Sequence, residues 1–356
     1  LKSRSWVLAA VLALAGCGAG RPVKSADIQP AVRTAQVSED PDDPAIWIHP
    51  SDPARSLILG TNKVKAPGGA LVVFGLDGKI RQTVAGLDRP NNVDVEYGLA
   101  AGGGAIDIAV VTERLQKRLR VFRVQESGIT ELTGDTVVFG NRQGDAAAPM
   151  GVSLYRRPKD GAVFAIVAPK TGNREKYMGQ YRLETGADGK VNAALVREFG
   201  RFSGQGEIEA VAVDDALGYV YYADEGDGIH KYHADPDHPE AARELAHFGK
   251  TGFQADREGI AIYARGDGTG FVVCTDQIPG NSVYRFYRRE GEAGRPHDHA
   301  ALLGTVSGGA DSTDGLEITS RGLGPAFPAG LMAAMNSAGR NFLLFRWQDV
   351  ESALKR

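Results

Sequence analysis

The chain has almost no cysteine. Two are present in 356 residues, Cys17 and Cys274, so a disulfide-built scaffold is excluded. An excess of basic charge is also missing. Lys and Arg number 41 against 44 Asp and Glu, for a net charge of −3. Nucleic-acid binding, which asks for a basic surface, gains no support. Any anion handled here must meet bases concentrated locally. Long apolar runs are absent too, since Trp6 to Ala15 is too short to span a bilayer comfortably. The seven histidines show no HExxH and no paired-ligand spacing. Beyond Ala31 no long segment has helical periodicity. The chain offers instead 46 glycines and short runs rich in Val, Ile and aromatics, the composition of an all-β fold with many tight turns.

The first residues read as an export signal, with Lys2 and Arg4 ahead of the apolar stretch. Leu14-Ala15-Gly16-Cys17 resembles the lipobox of bacterial lipoproteins. That resemblance implies lipidation of Cys17. Gly18 rather than Asp after it implies sorting to the outer membrane of a Gram-negative envelope. The expected organisation is a signal over 1–16, a tether over 17–30 and one folded domain over 31–356, attached to the membrane only by lipid. Cys274, inside the strand pattern FVVCT, reads as a buried apolar residue.

One pattern recurs at intervals of roughly fifty to sixty residues. It has an acidic or amide start, an alternating strand, a turn, an apolar strand with a polar end, a second turn, and a strand ending in an aromatic. The unit Gly204 to Tyr232 shows it most clearly. It recurs from Asp43, Asn92, Gly151, Glu209, Glu258 and Asp314. A small sheet repeated in this way must stack on its neighbours to bury both faces. The expectation is a six-bladed β-propeller of four-stranded antiparallel blades. The last unit lacks a fourth strand, and Ala31 to Ser38 is expected to supply it and close the ring.

Inner strands line the channel of such a ring, so equivalent positions converge. One set lies at or just before each inner strand: Asp42-Asp43, Asn91-Asn92, Met150-Gly151, Glu207 with Glu209, Asp256 with Glu258, Asp311 with Asp314. Carboxylates gathered so closely repel one another unless a cation sits among them. Oxygen donors in numbers point to Ca²⁺. A second set ends each second strand: Lys63, Arg114, Lys170, then Asp224-Glu225, Asp276-Gln277 and Asn336. Three blades give a base and three give acids or amides. A ring basic on one side and acidic on the other suits a polyanion bridged by metal.

These stretches resemble the β-propeller phytases. The resemblance rests on Asp42 to Trp47, Gly60 to Lys63, Asn91 to Asp94, Glu209 to Tyr232, Asp256 to Gly259, Asn281-Ser282 with Tyr284, Asp314-Gly315 and Gly322 to Pro325. It implies a monomer that releases phosphate from myo-inositol hexakisphosphate, taken as a calcium complex, by direct attack of water and with several Ca²⁺ ions. It assigns Asp42, Asp43, Glu209, Glu225, Asp256 and Glu258 to the calcium ligands or water-activating groups. Gln277 and Asp314 join the metal positions, and Lys63, Arg114 and Lys170 grip phosphate. Val64, Met150 and Thr171 depart from the family pattern around the neighbouring phosphate, and Met335 to Gly339 departs at a further calcium site. A calcium-dependent lactonase on the same fold and a non-catalytic binding propeller remain open alternatives.

Overall fold

The computed structural model describes residues 26–355. The signal assigned to 1–16 and the lipid acceptor Cys17 lie outside the described residues. Six sheets follow one another along the chain. Their inner strands are Pro41–Trp47, Pro90–Ala101, Pro149–Arg156, Val211–Asp214, Ile260–Ala264 and Leu316–Thr319, which define blades 1 to 6. In blades 1 to 5 the four strands pair antiparallel in chain order from the centre outward. Each inner strand lies against that of the next blade, and the sixth lies against the first. The ring is a six-bladed propeller.

The alternation of side chains along these strands explains how it holds together. One face of each sheet packs against the preceding blade and the other against the following one. The apolar core is therefore divided into six clusters, one at each seam. Between blades 4 and 5, for instance, Ala212 and Tyr221 meet Val272 and Cys274. Cys274 is fully buried there, and burial pushes its thiol up to about 12, so it stays a packing residue.

Ring closure comes from the N-terminal segment. Val32–Arg33 pairs antiparallel with the third strand of blade 6, Asn341–Arg346. The backbone bonds continue beyond the two-residue strand, from Thr34 N–H to Phe342 O and from Val37 N–H to Arg340 O. Val37 packs in the seam between blades 6 and 1. Removing residues 31–38 thus opens the ring and exposes that seam. We expect the melting temperature to fall by at least about 10 °C, on the scale of several kcal/mol for a domain of this size. An unchanged melting curve would remove the closing role.

One segment differs from the sequence expectation, and another adds to it. Residues at the end of the supposed tether are bound to the body: Ala26–Asp27 pairs parallel with Val306 and Ser307 at the outer edge of blade 5, and Ile28 is buried. The closing tail is a helix, Trp347–Leu354. Trp347, Val350 and Ala353 lie three apart and are all buried, and Trp347 stacks on Tyr263 with ring centroids 3.7 Å apart.

Candidate active site

Three blades present their polar residues by a shared irregularity. The inner strand slips register between Pro41 and Pro44, between Pro90 and Val93, and between Pro149 and Val152. A bulge lets consecutive side chains escape strict alternation. Asp42 with Asp43, and Asn91 with Asn92, are accordingly all buried at the ring's centre. Side chains on the second strand support the bulges. Thr61 Oγ1 accepts the N–H of Asp43 and Thr112 Oγ1 that of Asn92, each at 3.0 Å. In blades 4 to 6 the inner strand begins later, just after Glu209, Glu258 and Asp314.

A sixfold hydrogen-bond pattern fixes which second-strand residues are equivalent. The N–H groups of Lys63, Arg114, Lys170, Glu225, Gln277 and Ser337 donate to the carbonyls of Asp40, Arg89, Ala148, Glu207, Asp256 and Asp311. Blade 6 therefore contributes Ser337 at this position, one residue beyond the Asn336 expected from the sequence. The residue before it has a structural task in five of the six blades. Asn62, Glu113, Asp224, Asp276 and Asn336 each accept backbone N–H groups from the segment leading to the inner strand. The doublets Asp224-Glu225 and Asp276-Gln277 are thus resolved. The first member pins a loop, and the second faces the site.

The bases and acids do not stand apart on opposite halves, as the sequence suggested. Closing the ring brings blade 6 against blade 1, and the two borders of the basic arc become ion pairs. At one border Lys63 Nζ lies 2.5 Å from Asp42 Oδ1 and 3.3 Å from Asp314 Oδ2. At the other, Lys170 pairs with Glu207, a residue to which the sequence gave no role. Arg114, in the middle blade of the arc, is buried and makes no ion pair among the described residues. Asn91 Nδ2 reaches across the centre, 3.3 Å from Glu209 Oε2 and 3.5 Å from Asp42 Oδ2. Gln277 donates to Asp314 Oδ1. Asp43 turns down the channel instead, accepting the N–H of Val93 at 2.9 Å. It borders a central cavity of about 250 Å³.

Glu225, Asp256 and Glu258 form the acidic corner, with one carboxylate oxygen from each within 4.8 Å of the others. Glu225 is held by the N–H of Glu207 at 2.9 Å. Glu258 Oε2 is buried without a hydrogen-bond partner, an arrangement that calls for a cation or a proton. The electrostatics agree. Burial, and behind it the neighbouring acids, raise Glu209 and Glu225 to about 7. Burial likewise lifts Asp43 and Glu258 well above the carboxylate range. Burial opposes the charge of Lys63, but Asp42, Glu209 and Asp314 outweigh it and hold the amine firmly protonated. Bare, the site is over-supplied with negative charge. Hard oxygen donors in this density fit Ca²⁺.

The positions that depart from the family pattern also have definite places. Met150 is fully buried in its bulge. Asp311 Oδ2 accepts the N–H of Ala338, and its Oδ1 that of Gly280, so its carboxylate is occupied by backbone. One residue escaped the sequence reading. Arg257, between Asp256 and Glu258, donates to the carbonyls of Glu225 at 2.6 Å and Gly249 at 3.1 Å. It locks the turn that carries Glu225. A base flanked by two site acids was the available clue.

A family model described as Phytase matches residues 6–355. A curated relative, the 3-phytase of Bacillus subtilis (strain 168), is 29% identical over 341 residues, covering 90% of this chain and 85% of its own. Among solved structures, those titled as BBS1N in complex with ARL6DN, soaked with mercury or with lead, share 9% identity at a TM-score of 0.46. They cover 87% of this chain, and 77% and 79% of theirs.

Proposed function

The chain belongs to the phytase family, and from that premise we propose that it releases phosphate from phytate by calcium-dependent hydrolysis at the mouth of the propeller channel. The enzyme class, a phytase-type phosphoric monoester hydrolase, follows from the family and the 3-phytase relative. The observation that carries the calcium-dependent reading is the trio Glu225, Asp256 and Glu258, set in the same ring as Lys63, Arg114 and Lys170.

In this reading the trio, with Glu209 and Asp42 beside it, holds calcium, and Gln277 and Asp314 complete the oxygen set. When bound, calcium supplies positive charge that offsets the carboxylates and polarises phosphate and water. The chain's own residues do the rest. Arg114, free of any acid, offers a planar fork to two phosphate oxygens. Lys63 and Lys170, the other two bases of the arc, would meet further phosphate oxygens. These bases would hold phosphate while water attacks phosphorus directly; the bond from phosphorus to the inositol oxygen breaks, that oxygen leaves as the alcohol with a proton from the water, and no phosphoenzyme forms. Asn91 keeps Asp42 and Glu209 apart and oriented. The substrate is an inositol phosphate carrying its own calcium, acted on by a monomer. Export and lipid attachment through Cys17 belong to the same proposal, and labelling with a fatty acid in the wild type but not in Cys17→Ser tests them.

The deciding assay is phosphate release from phytate with and without calcium, run beside a panel of lactones. We expect calcium-dependent phosphate release and no lactone opening. Lactone hydrolysis without phosphate release, or no turnover on either, would reject the proposal.

A further inference from the structure

Blade 4 holds a second group of ligand-type side chains, outside the channel. His230 lies on its third strand, Gly228–His233, and His247 on its outer strand, Ala246–Phe248. The register sets these two directly opposite each other, so their side chains share a face. The rings stack with centroids 4.2 Å apart and planes 16° from parallel. Their nitrogens point the same way. Both Nε2 atoms face Asp227 Oδ2, at 3.3 Å from His247 and 3.9 Å from His230. Both Nδ1 atoms face Glu244 Oε1, at 3.6 Å from His230 and 3.9 Å from His247.

This arrangement leaves an account unsettled. His230 is 2% exposed, yet neither of its ring nitrogens has a hydrogen-bond partner, and Nε2 of His247 has none either. A neutral imidazole always carries one N–H and one acceptor nitrogen, and buried polar atoms are rarely left unpaired. One ligand atom each from Asp227, His230 and His247 lies within 4.8 Å of the other two. We propose that Asp227, His230 and His247 bind one divalent transition-metal ion of the zinc class.

The donor set decides the metal. Two imidazoles and one carboxylate suit zinc and its neighbours, whereas calcium prefers oxygen alone. Three protein ligands would leave a fourth position for water, and Asp227 is half-exposed. Glu244 Oε1, which both Nδ1 atoms face, would take their protons and leave both Nε2 lone pairs to the metal. Its own second oxygen accepts the hydroxyl of Tyr232 at 3.2 Å. Such outer carboxylates fix tautomer and ring orientation. The ion ties the turn after Asp224 to the outer strand. That turn also carries Glu225, two residues before Asp227, so the bound metal stiffens the acidic corner of the channel without entering it.

The test uses the whole protein in buffer with millimolar calcium, which saturates the oxygen sites. Zinc is added by calorimetric titration, and Co²⁺ is followed by its visible absorption. We expect one zinc per chain and a Co²⁺ spectrum with nitrogen ligation. His247→Ala and Asp227→Asn should each weaken zinc by at least about a hundredfold, and Glu244→Gln by about ten- to a hundredfold. Asp227 sits half-exposed in a turn, so Asp227→Asn carries the test if His247→Ala fails to fold. No zinc equivalent in the wild type, or wild-type affinity in Asp227→Asn, overturns the proposal.

Discussion

Glu225→Gln lowers turnover on phytate at least about a hundredfold, the scale of removing a charge-stabilising group from a site of this kind, while making the metal-free protein more stable. The two effects have one origin. The glutamine keeps the size of the glutamate and an oxygen to accept the N–H of Glu207, now bonded to Oε2 at 2.9 Å. Its loss is the charge alone. In the bare protein that charge is a burden, because burial raises the Glu225 carboxyl to about 7. In the proposed calcium-dependent reaction that charge would hold the cation. Steady-state phosphate release and thermal melting in the absence of metal check both halves. Wild-type turnover in Glu225→Gln would remove the residue from the mechanism.

Lys63→Ala gives the informative contrast. Turnover again falls about a hundredfold or more, but here the bare protein loses stability at neutral pH. Lys63 Nζ is the cation that offsets Asp42, at 2.5 Å, and Asp314, at 3.3 Å. Without it a fully buried aspartate loses its counter-charge, a change that costs several kcal/mol when a buried pair is broken. Activity moves the same way in both variants, and metal-free stability moves in opposite directions.

How much of this was legible beforehand depended on whether the information was local. The blades could be read because each repeats the same period-two pattern between turn residues, and a small sheet has no other way to bury two faces. The positions of Lys63, Arg114 and Lys170 followed from that repeat. The seam ion pairs did not. Asp314 and Lys63 are distant in sequence and meet only because the ring closes, so blades 6 and 1 become neighbours. The doublet Asp224-Glu225 was ambiguous for another reason. Both residues are acidic, and the hydrogen bonds from Ser203 N–H to Asp224 Oδ2 and from Gly226 N–H to Oδ1 show that the first is committed to backbone. Asn336 was misplaced by one residue because blade 6 offers no charge at Ser337 to mark the register. The histidines looked unpaired because metal-ligand spacing is a helix or loop signal, whereas His230 and His247 meet across two strands.

Withdrawing calcium takes phosphate release to background, and the accompanying change in stability depends on pH with a definite sign. An unfolded glutamate titrates near 4.3. In the bare folded protein Glu209 and Glu225 are raised to about 7, chiefly by burial. A carboxyl raised on folding contributes stability that is present below its unfolded value and is lost as pH climbs through the folded one. The metal-free protein is therefore less stable at pH 8 than these groups allow at pH 5. Calcium acts in the reverse direction, because only the ionised carboxylates hold it. At a hundredfold excess over its dissociation constant, one bound ion adds about 2.7 kcal/mol, and several ions together raise the melting temperature by about 5 °C or more. That gain is large at pH 8 and small at pH 5, where protons compete for the same oxygens. Melting curves of dialysed and calcium-loaded protein should diverge as pH rises, and phosphate release should appear over the same interval. A calcium effect of equal size at both pH values would place the ion away from Glu209 and Glu225, and activity surviving exhaustive EGTA treatment at pH 8 would end the calcium-dependent reading.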